Sequence, residues 1–218
     1  IAVAHSVFNI LCTILLLPLS GMLVKLVNRL IPDADRPEAQ PELDERLLAA
    51  PSIALERCNE VTADMAKTAV SALRESMVCL RDYSLELAKS VRLKEEKTDY
   101  YEDILGTYLV KLSARQISGP DSAKAAMLLK LIGDFERISD HAVNILESAE
   151  EMRGRAVKFT EEALSELKVI VAAVNEIMEL SLGAFLSDDP KTAFMVEPLE
   201  QVIDHLKEQM RTRHILRL

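Results

Sequence analysis

Apolar residues are distributed in two different patterns along the chain. From Ile1 to Val24 there is no Lys, Arg, Asp or Glu, whereas beyond residue 50 apolar residues recur every three or four positions among charged ones. At about 1.5 Å per residue the first run forms a helix on the order of 35 Å long, which spans the core of a bilayer. The second pattern is typical of amphipathic helices with one buried face. The pattern predicts an all-α protein with one transmembrane helix, residues 1–31, before a helical bundle.

The flanks of the apolar run indicate its orientation. Lys25 and Arg29 follow it directly, and basic residues favour the cytoplasmic side of a span. We therefore expect a protein of the inner (plasma) membrane whose residues after about 31 are cytoplasmic. A signal peptide would need a basic start, which is missing here, and a core helix of a soluble protein is rarely this long.

Proline and glycine positions divide the rest of the chain. Three prolines within residues 32–41 interrupt any helix, and we assign residues 32–50 to a linker. Short connections between the long helices that come after it favour an antiparallel bundle. Two helical hairpins with matching layouts suggest an internal duplication, with halves 51–155 and 156–218. The predicted helices span about 52–90, 93–116, 120–153, 161–186 and 188 to the last residue.

Composition narrows the range of partners. The formal net charge of −9 argues against nucleic acid, which calls for a basic surface, and suits cations. Cys12, Cys58 and Cys79 show no zinc-binding or C-x-x-C spacing. We expect these cysteines to be reduced and packed as small apolar side chains.

Acidic residues four positions apart provide the candidate chemistry. This spacing places two carboxylates on one helix face, where they repel each other unless Arg137, a neighbouring helix or a metal compensates. Most such pairs are solvated, but the second pair lies between strongly apolar positions. Oxygen ligands favour hard or borderline cations, and His141, adjacent to one carboxylate, does not share its face. The candidate metal ligands are Glu95, Asp99, Glu136, Asp140, Glu200 and Asp204.

Two motifs carry a resemblance to a known family. The stretch Asp-Phe-Glu-Arg-Ile-Ser-Asp-His-Ala-Val-Asn-Ile at 134–145 resembles the signature of PhoU-like phosphate regulators, and the Glu95–Asp99 pair resembles the family's other acidic motif. The resemblance implies two similar three-helix halves, with Glu200–Asp204 beginning the second motif set. It also implies iron or zinc on the acidic faces, with magnesium as another oxygen-preferring ion. On this basis the second half is expected to be incomplete in this chain.

The N-terminal part resembles another group of proteins. Ala4-His5, Phe8-Asn9 and Pro18, with the stretch at 43–52, are similar to the end of the membrane part of bacterial sodium/phosphate cotransporter family proteins. The resemblance implies that residues 1–31 are the last span of a transporter, whose remainder would be a partner and would handle sodium and phosphate. It assigns no transport residue, and it leaves open whether the protein forms a homo-oligomer.

Three functions are compatible with parts of this pattern. The leading interpretation is the cytoplasmic regulatory domain of a sodium-dependent phosphate transporter. The alternative is a free-standing PhoU-type adaptor that binds metal and a transporter or kinase partner. A di-metal carboxylate enzyme typically pairs Glu with Glu-x-x-His. None of the histidines at 141, 205 and 214 has a Glu three residues before it, so no enzymatic activity and no catalytic residue are predicted.

Overall fold

The computed structural model describes His5, Phe8 and residues 43–217. The chain divides into two compact units, residues 1–42 and 43–218. The predicted membrane helix and most of the predicted linker lie outside the described residues, apart from His5 and Phe8, which are helical. All the helices whose bounds are described belong to the second unit.

The second unit is built from helices. No strand occurs among the described residues, which confirms the all-α prediction. A short 3-10 helix comes first and is followed by five long α-helices and one helix of a single turn. In chain order they are the 3-10 helix Glu45–Ala49, α1 (Pro51–Arg81), α2 (Leu85–Ser113), α3 (Gly119–Gly154), α4 (Glu161–Ser187), α5 (Pro190–Ala193) and α6 (Val196–Arg217).

Helices α1, α2 and α3 enclose the core. One cluster of buried side chains joins residues such as Leu55 of α1, Leu105 of α2 and Leu128 of α3. A second cluster, further along the bundle, joins Val91 of α2 to Leu146 of α3. Early residues of α2 meet late residues of α3 in this cluster, so the two helices run antiparallel. These apolar contacts supply most of the stabilisation of the bundle.

Two cysteines lie in this core as the sequence predicts. Cys58 and Cys79 are free thiols and are buried. Burial raises the pKa of the Cys58 thiol to about 11, because an apolar environment disfavours the thiolate. The thiol is therefore a packing group, and Cys12 lies outside the described residues.

The first helix ends earlier than the periodicity predicts. We expected a helix to about residue 90, but α1 ends at Arg81 and α2 begins at Leu85. The reason is Ser84, whose Oγ accepts hydrogen bonds from the backbone N–H of Glu86 at 3.2 Å and of Leu87 at 3.5 Å. This cap satisfies donors that have no partner at a helix start. The predicted last helix is also interrupted, between α5 and α6.

The described end of the predicted linker packs on the bundle. Leu48 is buried in the first core cluster. The Tyr108 hydroxyl of α2 donates to the backbone oxygen of Asp44 at 2.9 Å, and Lys111 pairs with Glu45 at 2.6 Å. Residues 43–50 are therefore attached to α2 by polar contacts as well as by an apolar anchor.

Helix α4 is the most apolar of the described helices. By length and composition alone it could cross a membrane, since an 18-residue window within it has a mean hydropathy of 1.7, and it is the one such helix in the described part of the chain. A bundle helix passes the same test. Several of its apolar side chains pack on the core clusters of α1–α3, and the rings of Phe185 and Phe135 on α3 lie 5.4 Å apart. In α4, Ala184 alone is buried, so most of the helix is partly exposed.

Candidate metal centre

Three carboxylates from two helices converge on one point. Glu95 and Asp99 lie one turn apart on α2, and Asp140 lies on α3. One oxygen atom from each lies within 4.8 Å of the others. Glu95 and Asp99 share one face of α2 because they are four residues apart. The packing of α2 on α3 places this face beside Asp140 and so produces the group.

The helices beneath these carboxylates are fixed by buried groups. Thr98 and Ser139 are fully buried, and their hydroxyls donate to the backbone oxygens of Lys94 at 2.7 Å and Glu136 at 3.0 Å. A hydroxyl satisfied by its own helix can be buried at little cost. The carboxylates are thus held on a closely packed pair of helices.

Burial and mutual repulsion raise the pKa values of acids in this group. Burial first, and then the neighbouring carboxylates Asp99 and Asp140, raise the pKa of Glu95. Burial first, and then Asp140, raise the pKa of Asp99. Both effects disfavour the charged form of a carboxyl group. A bound cation would counteract the effect of the neighbouring carboxylates on these pKa values.

Glu136 belongs to the same neighbourhood. After burial, the largest causes that raise the pKa of Glu136 are Asp140, Glu102 and Asp99, and a hydrogen bond with Asp140 acts in the same direction. The structure therefore brings four predicted ligands together, three as one convergent group and Glu136 at its edge. Glu102, which extends the α2 face by one more turn, adds to the negative potential.

The expected compensation by Arg137 is not observed. Arg137 is exposed, and the charges that most affect the pKa values of Asp99 and Glu136 are all acidic. Arg92 lowers the pKa of Glu95 only as a minor cause, since its guanidinium pairs with Glu150 at 2.7 Å. His141 is exposed and lies outside the convergent group.

The third predicted pair is not part of this group. Glu200 and Asp204 are exposed on α6, and Asp204 pairs with Lys207 at 2.6 Å. Within the described residues, the group of three acids on α2 and α3 does not include them. Their role as ligands stays a prediction.

The sequence did not reveal the ion pairs that connect the helices near the site. Lys94 on α2 pairs with Glu75 on α1, and Arg92 pairs with Glu150 on α3. Both cations are close to Glu95 in sequence and yet face acids on other helices. Their signal is the mixture of basic and acidic residues at 92–96, which alone does not identify the partners.

The fold and the acidic face define a class of protein, a PhoU-like helical bundle. Residues 62–149 match the PhoU domain family, so a PhoU domain is present, and the matched segment contains the convergent acids. This confirms the resemblance seen in the acidic motifs.

Two proteins are distantly similar to the chain. One is "Phosphate-specific transport system accessory protein PhoU homolog 1" of Thermotoga maritima, 31% identical over 38% of this chain and 35% of that protein. The other is "Phosphate-specific transport system accessory protein PhoU homolog" of Aquifex aeolicus, 24% identical over 72% of this chain and 70% of that protein. The chain thus spans about a third of the Thermotoga protein. No solved structure matches the chain significantly.

Proposed function

We propose that the bundle is a PhoU-type regulatory unit that acts on phosphate transport and has no catalytic role. The PhoU domain match over residues 62–149 carries this proposal, because it covers the helices that hold the convergent acids. Both similar proteins are named as accessory proteins of a phosphate-specific transport system. A regulatory unit needs a state-dependent site, and the acidic group is the best candidate for one.

The acidic group would hold a metal cation. Glu95, Asp99 and Asp140 would be its ligands, with Glu136 beside them, and the chemistry that the cation supplies is charge neutralisation. The donor set fits such an ion, since three carboxylate oxygens lie within 4.8 Å of one another, and burial, followed by repulsion from neighbouring carboxylates, raises the pKa values of Glu95 and Asp99. Oxygen ligands suit magnesium and iron, and zinc also accepts carboxylates. Glu200 and Asp204 are kept as candidate ligands of a second site.

This site could regulate by changing how α2 and α3 are held together. Without a cation the acids on α2 and α3 repel one another, and protons compete with metal for the same oxygens. An effector changes function only if it binds two conformations with different affinity. The residues on α2 and α3 would therefore have to be spaced differently in the two states.

Metal content tests this site. The purified full chain is loaded with iron, zinc or magnesium, passed through a desalting column and measured by elemental analysis. We expect Asp99→Asn and Asp140→Asn each to reduce the bound metal at least tenfold. Glu86→Gln, an exposed acid at the start of α2, is the matched control and should bind as the unaltered chain does. Equal metal content in all four proteins would contradict the proposal.

We also propose that the unit is attached to a sodium-dependent phosphate transporter at the inner membrane. Support comes from the uncharged run from Ile1 to Val24, followed by Lys25 and Arg29. Residues after about 31 would be cytoplasmic, and sodium and phosphate would be handled by the rest of the transporter. Assembly into a homo-oligomer is compatible with this arrangement.

A free-standing adaptor is the second candidate. It is favoured by the matched accessory proteins, because the alignment with the Aquifex protein extends over 70% of its length. Washing isolated membranes distinguishes a unit attached to a transporter from a free-standing adaptor. If the chain is an integral membrane protein, high salt and alkaline carbonate leave it in the pellet and detergent releases it. Complete release by high salt alone would favour the adaptor.

A further inference from the structure

A groove lies between the end of α1 and α4, and its lining includes none of the residues of the acidic group. Its volume is about 270 Å³. Its apolar wall is formed by Met77 and Val78 of α1 and by Leu164, Leu167 and Val171 of α4. Leu164, Leu167 and Val171 have the i, i+3, i+7 spacing of one face of α4, and this face is turned toward the end of α1.

Cations surround this apolar wall. Arg74, Arg81 and Lys168 line the same groove, although the chain as a whole has a net charge of −9. Arg81 contacts Asp82 through Nε at 2.6 Å, which leaves its terminal nitrogens for another partner. Arg74 pairs with the exposed Glu179 at 3.7 Å. The residues that line the groove include three cations and no acid, so its lining is basic, although Asp82 and Glu179 lie beside it.

One end of the groove contains a buried acceptor. The side-chain oxygen Oδ1 of Asn175, which lines the groove, is buried and has no hydrogen-bond partner in the described part of the chain. Buried polar atoms are rarely left unpaired, since this costs about 1–3 kcal/mol. Neither an alkyl chain nor a carboxylate can donate to this oxygen. A peptide can, through a backbone N–H or a side-chain hydroxyl.

We propose that this groove docks a short acidic segment of a partner protein. Apolar side chains of the segment would pack on Val78 and Leu167, its carboxylates would pair with Arg81 and Lys168, and one of its N–H or O–H groups would donate to Asn175. The groove is slightly smaller than ligand pockets of roughly 300–1,000 Å³, which suits the few side chains of a peptide anchor. Charge complementarity of this kind also speeds association.

Fluorescence anisotropy tests the groove directly. The full chain is placed in neutral phosphatidylcholine nanodiscs, so that no detergent monomer competes, with a chelator present to exclude metal effects. The probe is a fluorescein-labelled peptide of alternating Leu and Glu around one Phe, and a second peptide has Lys in place of every Glu. We expect the acidic peptide to bind at least tenfold more tightly than the basic one.

Variants connect the binding to the groove. Lys168→Glu and Val78→Asp, at exposed positions, should each weaken binding of the acidic peptide at least tenfold. Lys130→Glu, an exposed charge reversal on α3, is the matched control and should leave it unchanged. Equal binding of both peptides, or an unaltered affinity in Lys168→Glu, would overturn the proposal. Binding of decanoate without binding of the peptide would also overturn it in favour of a fatty-acid site. Because metal is absent throughout, failure here leaves the proposed metal centre untouched.

Discussion

At the scale of single residues, the acids on α2 and α3 reduce the stability of the fold. Glu95 and Asp99 are close enough to Asp140 for each charge to oppose the others. Like charges four residues apart on a helix destabilise it by about 0.2–0.5 kcal/mol. Side chains that reduce stability in this way are common at functional sites. The cost is compensated by the buried contacts beneath them.

Removing one of these charges should therefore stabilise the metal-free protein. We expect Asp99→Asn to raise the free energy of unfolding at pH 7 by a few tenths of a kcal/mol in chelator. The folded-state pKa of Asp99 lies above its ordinary value of 3.8. As the pH falls through the raised value, the native chain takes up the proton first and gains stability. The advantage of the variant should therefore shrink between neutral pH and about pH 4, as urea titrations would show.

The control for this prediction is Glu86→Gln, which removes a charge from α2 outside the group. It should not reproduce the pH-dependent difference. A variant Asp99→Asn that is less stable than the parent chain at pH 7 without metal would contradict the repulsion argument. The same variant should lose any stabilisation that added metal gives the parent.

At the scale of helices, the break between α1 and α2 depends on one side chain. The Ser84 Oγ accepts two backbone N–H groups, and we expect Ser84→Ala to lower the stability by about 1 kcal/mol. Ser84→Asp keeps an acceptor at the cap and should retain most of the stability. Denaturant titration monitored by circular dichroism measures both. An alanine variant as stable as the parent would mean that tertiary packing alone sets this boundary.

The elements were predictable to different degrees, for physical reasons. Amphipathic periodicity is a local signal, and it predicted the long helices and their buried faces. It did not predict the end of α1, because Asp82 and Ser84 are compatible with an exposed helix surface until the cap is recognised. The i,i+4 spacing predicted which acids share a helix face. The convergence of Asp140 with Glu95 depends on how α2 packs on α3, which one helix alone does not specify.

The groove was missed for a similar reason. Arg74, Val78 and Arg81 have the spacing of an ordinary exposed helix face. Only the position of α4 beside α1 gives that face a second wall. A signal was present in the mixture of apolar and basic residues on one face, but the sequence does not show whether another helix covers it.

At the scale of the whole described unit, burial is uneven. Helices α1, α2 and α3 contain nearly all of the fully buried residues. In α4, Ala184 alone is buried, and α6 has no buried residue within Val196–Arg217. The free energy needed to open a region locally follows such differences in buried apolar contacts. The unit therefore consists of a firm three-helix core and a more loosely attached pair of helices.

Hydrogen exchange should show this division. We expect amides of α6 to exchange faster than those of α2, as measured by mass spectrometry of peptides from each helix. Arg213 and Arg217 of α6 both pair with Glu166 of α4, so Glu166→Gln should accelerate exchange in α6 and leave α2 unchanged. Equal protection of α2 and α6 in the parent chain would contradict the division.

The contact of Tyr108 with Asp44 has a mechanical consequence. Tyr108 is on the same helix as Glu95 and Asp99, and lies about 14 Å beyond Asp99 at the rise of an α-helix. A helix transmits a push or a pull along its axis with little loss. A force on Asp44 would therefore be carried through Tyr108 along α2 toward the acidic group. In the other direction, a shift of α2 against α3 would move Tyr108 and, through it, the backbone of Asp44.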